Sequence, residues 1–119
     1  MESVDRLDAD RIGAGLTTAR VGRSLRIYES TASTNDIAWQ FPSKAEHDGL
    51  CIFAEHQTAG RGRGSNRWLS RPGESLLASI LRIDFPCPAE LLTVAAALAA
   101  AAAIEQTAGL RPRNKWPND

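Results

Sequence analysis

Apolar and polar residues alternate from Leu25 to Tyr28 (LRIY), the period of a half-buried strand. The period changes in the next stretch, ESTASTNDIAWQF. Ser33 and Asp36 stand three apart there, an acidic variant of the capping box. They predict a short helix with Ile37, Ala38 and Phe41 facing inward and Pro42 at its end. The run from Gly49 to Glu55 (GLCIFAE) is apolar enough for a central strand. Ser75 to Ile83 (SLLASILRI) predicts a third strand, introduced by the turn pair Pro72-Gly73 and broken by Pro86 and Pro88. Pro88 fits the first position of a helix over 88–108, Glu90 suits its positive N-terminus and Gly109 fits its end. Alanine dominates that helix; it is the best helix former and small enough to pack closely on a sheet. Arg111 to Trp116 reads as a fourth strand, stopped by Pro117. Residues 1–24 form a polar arm, a short helix or a loose lead-in. There are no repeats and there is no interdomain linker. Strands joined by hairpin-like and helical connections predict an α+β fold, a sheet with helices on one face.

The totals narrow the function classes. The chain has 119 residues, room for one domain and one modest core. Its 43% hydrophobic and 24% charged residues are ordinary for a soluble protein. Lys plus Arg equals Asp plus Glu at 14 each, so no polyanion is bound by net charge and any anion site must be local. Cys51 and Cys87 lack metal-like spacing and read as free thiols in a reducing compartment. His47 and His56 are too few and too scattered for a zinc site, and no metal ligand is assigned. The N-terminus has no apolar stretch of signal-peptide length. The longest apolar run, Val94 to Ile104, is 11 residues, where a membrane span needs about 20. A soluble, cytoplasmic protein without a membrane partner is the expectation.

Positive charge gathers in one segment. From Gln57 to Trp68 the chain reads QTAGRGRGSNRW, arginines set among glycines. No side chain from Gly60 to Arg67 is apolar, so burial cannot offset the cost of ordering, on the order of 10 kcal/mol for such a stretch. Solvated arginine contacts return about 1 kcal/mol or less each. The segment is expected to be mobile without ligand and to close over a buried anion, where charge-assisted bonds contribute about 1.5–3 kcal/mol each. Glycine backbone approaches closely and offers N–H groups, and in an extended segment Arg61 and Arg63 share one face. A solvated loop with incidental arginines is the bland alternative, and an RNA-binding arginine-glycine segment is another. No Gly-Lys-Ser/Thr follows the glycines, so this is not a P-loop.

Two further patches carry polar chemistry. Ser33-Thr34-Asn35 lies at the predicted helix start, where the residues either cap the helix or bind a small polar group. Lys115-Trp116-Pro117-Asn118-Asp119 ends a strand and reads either as a proline turn or as a site.

Taken in order, STN, a strand, E-x-Q-T-A-G-R-G-R-x3-R-W, a long helix and KWPND resemble the catalytic domain of biotin protein ligases from about Leu25 to Asp119. The resemblance implies a mixed, largely antiparallel central sheet with helices on one face, related to class II aminoacyl-tRNA synthetases. It implies an enzyme that takes ATP and biotin, with Mg²⁺, forms biotinyl-5′-AMP and biotinylates a lysine of a biotin carboxyl carrier domain of a carboxylase. By the same resemblance, Ser33, Thr34, Asn35, Gln57, Gly60, Arg61, Gly62 and Arg63 match the biotin-binding positions, with Ser33 on the ureido ring. Arg63, Trp68, Lys115, Asn118 and Asp119 match nucleotide-binding positions. Arg61, Arg63 and Lys115 are the implied catalytic residues.

The chain departs from the family pattern at Gly64-Ser65-Asn66, where a basic residue and a glycine usually follow the second arginine. The family's later Gly-Arg-Lys-type segment is absent. The chain stops on what reads as a strand exit, so the expectation is that residues 25–119 are the N-terminal portion of a truncated ligase domain, itself poorly active. No helix-turn-helix domain precedes it, so a monofunctional ligase without a DNA partner is expected; a homodimer is compatible with the sequence. The alternatives are a catalytically incompetent ligase-like binding module and an arginine-glycine RNA-binding protein.

Overall fold

The computed structural model of the chain describes residues 6–61 and 67–113. It divides into two compact units at the Asp84–Phe85 boundary.

In the first unit the arm contains a short helix, α1 (Ala9–Gly15), because the Asp8 side chain caps it by accepting the Asp10 and Arg11 N–H groups. The strands are β1 (Leu25–Thr31), β2 (Cys51–Gln57), β3 (Gly60–Arg61), β4 (Arg67–Trp68) and β5 (Leu77–Ile80), with α2 (Thr34–Trp39) between β1 and β2. The main sheet is mixed and ordered β1-β2-β5. β1 and β2 run parallel, and β2 and β5 antiparallel. A parallel pair needs a crossover, which α2 and the 3₁₀ turn Ala45–His47 supply.

The apolar run GLCIFAE becomes the central strand as its pattern predicts. Ile52 is fully buried, and with Leu50 and Ala38 it forms the core, with Tyr28, Ile37, Phe41 and Leu81 packed around it. Ile37, Ala38 and Phe41 therefore face inward, as predicted, while Trp39 points to solvent. Both cysteines are free. Burial pushes the Cys51 thiol up from its ordinary value, which keeps it protonated and inert.

β1 extends beyond the predicted LRIY into polar Glu29, Ser30 and Thr31. Pairing with β2 holds these residues, with Ser30 opposite His56 and Thr31 opposite Gln57. Two bonds carry the pairing further, from Thr58 N–H to the Thr31 carbonyl at 2.9 Å and from Ala59 N–H to the Ala32 carbonyl at 2.8 Å. β5 is shorter than the predicted 75–83. Main-chain bonds between Leu81 and both Gly49 and Leu50 continue it briefly, after which the Asp48 carboxylate takes the Ile83 N–H at 2.9 Å.

Asp48 is a structural hub. It also accepts from the Arg82 guanidinium at 2.9 and 3.3 Å and from Arg20 at 3.3 Å. Arg82 first, then the Ile83 N–H, hold its carboxyl down at about 2 against the opposing effect of burial. The next residue, Gly49, has a φ of +87°, and a Cβ there would lie 2.6 Å from the Arg20 carbonyl oxygen.

The second unit is built on α3 (Ala89–Ala108). Glu90 lies in its first turn, and Gly109 closes it with a left-handed φ of 68°. Pro88 stands at the N-cap, one position before the predicted one. Among the described residues, this helix alone is long and apolar enough to cross a membrane by length and composition, with a mean hydropathy of 1.5. The 11-residue estimate from the sequence missed this because it stopped at the polar residues on either side. Arg111–Arg113 form no strand, contrary to the predicted fourth strand. Gly109 turns the backbone just before them, and the rest of that expected strand lies outside the described residues.

Candidate functional site

The parallel pairing of β1 and β2 brings two separate motifs together. Both strands finish at the same edge of the sheet, so Ser33-Thr34-Asn35 after β1 emerges beside Gln57 at the end of β2. β5 runs the other way and starts at that edge, which adds Ser75, Leu76 and Leu77. Edges where parallel strands end are where open sheets bind ligands. The cavity here has a volume of about 370 Å³, within the usual range for small-molecule sites. Ser33, Thr34, Asn35, Gln57 and Arg61 line it with Ser79 and the leucines Leu69, Leu76 and Leu77.

The hydrogen bonds fix which polar groups face the ligand. The Thr34 N–H donates to Gln57 Oε1 at 2.8 Å, and the Asn35 N–H donates to Ser33 Oγ at 3.3 Å. The first N–H groups of α2 are thereby used internally, as a helix start requires. The site is therefore made of side chains rather than the open helix N-terminus that the sequence suggests. With its oxygen engaged, Gln57 offers its NH₂ donors. Ser79 donates to Asn35 Oδ1, so its own oxygen receives the Thr34 hydroxyl at 2.7 Å. This relay from Thr34 through Ser79 to Asn35 leaves the Asn35 NH₂ outward. Ser33 accepts with its oxygen and keeps its O–H to donate. The cavity thus meets its ligand with hydrogen-bond donors, suited to a carbonyl oxygen.

Beyond β2, the described ends of the arginine-glycine segment form a two-stranded ribbon. β3 and β4 pair antiparallel, with Gly60 opposite Trp68 and Arg61 opposite Arg67. The sequence reading missed this ribbon, because two-residue strands leave no periodic signal. Gly60, expected at a close approach, is buried in it. Asp36 also departs from expectation: instead of closing a capping box, its carboxylate accepts from Arg61 Nη2 at 2.5 Å. Arg61 and Leu69 line a second cavity of about 460 Å³ with Thr58, Ala59, Gly60 and Arg67.

Of the predicted site residues, Ser33, Thr34, Asn35, Gln57 and Arg61 share the first cavity. Trp68 is placed by its main chain alone. Gly62, Arg63, Lys115, Asn118 and Asp119 lie outside the described residues, as does the Gly64-Ser65-Asn66 departure. Ser79, Asp36 and the three leucines were not foreseen. For Ser79 the signal was there, a hydroxyl inside the apolar run SLLASIL. Among the described residues no cluster of three His, Cys, Asp or Glu side chains could hold a metal. Magnesium on a nucleotide needs only one or two carboxylates beside the phosphates; Asp119, matched to the nucleotide side, lies outside the described residues, and no chemical step is assigned to the ion.

The family model for biotin/lipoate A/B protein ligases matches residues 27–119. The chain belongs to this family. The bifunctional ligase/repressor BirA of Bacillus subtilis is 37% identical over 116 residues, covering 96% of this chain and 36% of that protein. The biotin–[acetyl-CoA-carboxylase] ligase of Mycobacterium tuberculosis is 36% identical over 104 residues, covering 82% and 39%. The chain thus spans just over a third of the length of these relatives. Among solved structures, the biotin protein ligase from Aquifex aeolicus in complex with biotin and ATP superposes with a TM-score of 0.69 at 28% identity, covering 82% of this chain and 40% of that one. The Leishmania major biotin protein ligase in complex with biotinyl-5-AMP gives 0.66 at 25% identity, covering 81% and 46%. Both of these solved structures are biotin protein ligases, and the chain has the α+β fold its sequence predicts.

Proposed function

We propose that the protein is an ATP-dependent biotin–protein ligase that biotinylates a lysine of a carboxylase's biotin carboxyl carrier domain, the acetyl-CoA-carboxylase carrier in particular. The observation that carries this reading is the donor-lined cavity where Ser33, Asn35, Gln57 and Arg61 converge. Biotin has a ureido carbonyl that accepts hydrogen bonds, an apolar ring and chain, and a carboxylate. The Ser33 hydroxyl and the Asn35 and Gln57 amides suit the first. Leu69, Leu76 and Leu77 suit the second, and the Arg61 guanidinium the third.

The reaction joins two anions. A biotin carboxylate oxygen attacks the α-phosphorus of ATP, the bond to pyrophosphate breaks, and biotinyl-5′-AMP remains. A neutral lysine amine of the carrier then attacks the acyl carbon, AMP leaves with the bonding pair, and the amine loses its proton. No enzyme nucleophile is required. The chain's part is to position the reactants and counter their repulsion with fixed positive charge. Arg61 does this at the wall between the two cavities, and Arg63, Trp68, Lys115, Asn118 and Asp119 are assigned to the nucleotide side. We assign the reaction to the cytoplasm, in keeping with the free thiols Cys51 and Cys87.

The test is to incubate the intact protein with ATP, biotin and a carrier domain and to follow the carrier's mass. A gain of one biotinyl group, lost when the carrier lysine is replaced by arginine, is expected. No gain beside an active control ligase contradicts the reading. Protection of Arg61 and Arg63 from trypsin by RNA alone, and not by biotin with ATP, would favour the RNA-binding alternative.

A further inference from the structure

Arg61 enters the proposed chemistry as a ligand-binding cation, yet its position is set by a residue that chemistry does not use. Arg61 and Arg67 lie directly opposite each other in the β3–β4 ribbon. Like charges at facing positions repel. The countercharge comes from elsewhere in the chain, since Asp36 in the first turn of α2 accepts from Arg61 Nη2 at 2.5 Å. Asp36 bonds a single guanidinium nitrogen, so the other nitrogens, Nη1 and Nε, remain available to a ligand. Arg61 lines both cavities. The two side chains are 58% and 41% exposed, and an ion pair this open adds little to folding stability. Its effect is on where the guanidinium rests before a ligand arrives.

We propose that Asp36 is a positioning residue that holds the Arg61 guanidinium between the two cavities and so prepares it for the carboxylate of the ligand. This rests on the biotin reading above. An untethered arginine must be ordered when the ligand binds, and that cost weakens affinity. Asp36 bears the cost beforehand, at one guanidinium nitrogen. The residue selects for an anionic ligand through Arg61 and does nothing for an uncharged one.

The experiment titrates the intact protein with biotin and with biotin amide, which lacks the carboxylate charge. Asp36→Asn is nearly isosteric and keeps the helix start. It is expected to weaken biotin binding roughly 10-fold, the loss of about one charge-assisted contact, with amide binding unchanged. Asp36→Glu, which keeps the charge, should retain most of the affinity. In an Arg61→Ala background, Asp36→Asn should have no further effect, since coupling vanishes once the partner is gone. Unchanged or tighter biotin binding by Asp36→Asn overturns the proposal, as does an equal loss for biotin and its amide. Wild-type protein that binds biotin while Asp36→Asn binds it equally well overturns this inference alone. Wild-type protein that binds neither ligand overturns the biotin reading and this inference with it.

Discussion

Thr34 and Gln57, 23 positions apart, are joined by a 2.8 Å hydrogen bond from the Thr34 main-chain N–H to Gln57 Oε1. One amide thus serves two ends: its oxygen completes the start of α2, and its nitrogen faces the cavity. Gln57→Ala leaves the N–H of buried Thr34 without its acceptor, a loss of about 1–3 kcal/mol. Gln57→Glu keeps an acceptor oxygen and should recover much of that stability. It replaces the outward donor with a carboxylate, so biotin affinity should still fall roughly 10-fold or more. Denaturant unfolding and biotin titration of the two variants separate these effects.

Arg61→Ala should lower kcat/KM for biotin by roughly 10- to 100-fold, the worth of one charge-assisted bond in the site. Because the ion pair with Asp36 is open to solvent, unfolding stability should change by less than about 1 kcal/mol. Steady-state kinetics and chemical denaturation check the two halves.

Asp48 ties the corner after the 3₁₀ turn to Arg82, Ile83 and Arg20. Its carboxyl is held at about 2 in the fold against an ordinary 3.8. Between those values the unfolded chain binds the extra proton, so this group's contribution is complete above the ordinary value and is lost as pH falls through the lower one. Asp48→Asn should unfold at lower denaturant near neutral pH, and its deficit should shrink from about pH 4 to about pH 2. Denaturation midpoints across that range measure the convergence.

Gly49→Ala should be among the more damaging small substitutions. The left-handed backbone alone costs about 1–2 kcal/mol with a Cβ present, and that Cβ would meet the Arg20 carbonyl at 2.6 Å. A lowered thermal midpoint, larger than that of Gly13→Ala, is expected; a Cβ on Gly13 meets nothing within 4 Å.

The parts of the fold written in apolar pattern were legible in the sequence. The run GLCIFAE is buried on both faces and became the central strand. Ser33 and Pro42 bracket α2, and Gly109 closes α3 through the left-handed conformation that glycine adopts without penalty. What pattern cannot carry is pairing. The polar end of β1 is held by Gln57 and its neighbours, and the ribbon at Arg61 depends on its pairing with Arg67. The site divides the same way. Ser33, Asn35, Gln57 and Arg61, which share the cavity, stand in contiguous motifs that the sequence displays. Ser79 and Asp36 matter through residues 44 and 25 positions away, a distance that no local motif spans.

Under the proposed function, the cavity at the ends of β1 and β2 brings a biotin carboxylate to ATP. The most direct measurement is the exchange of labelled pyrophosphate into ATP by the intact protein, with and without biotin. Exchange that depends on biotin and is strongly reduced by Arg61→Ala is expected. Exchange that ignores biotin, or none at all beside an active control ligase, contradicts the claim.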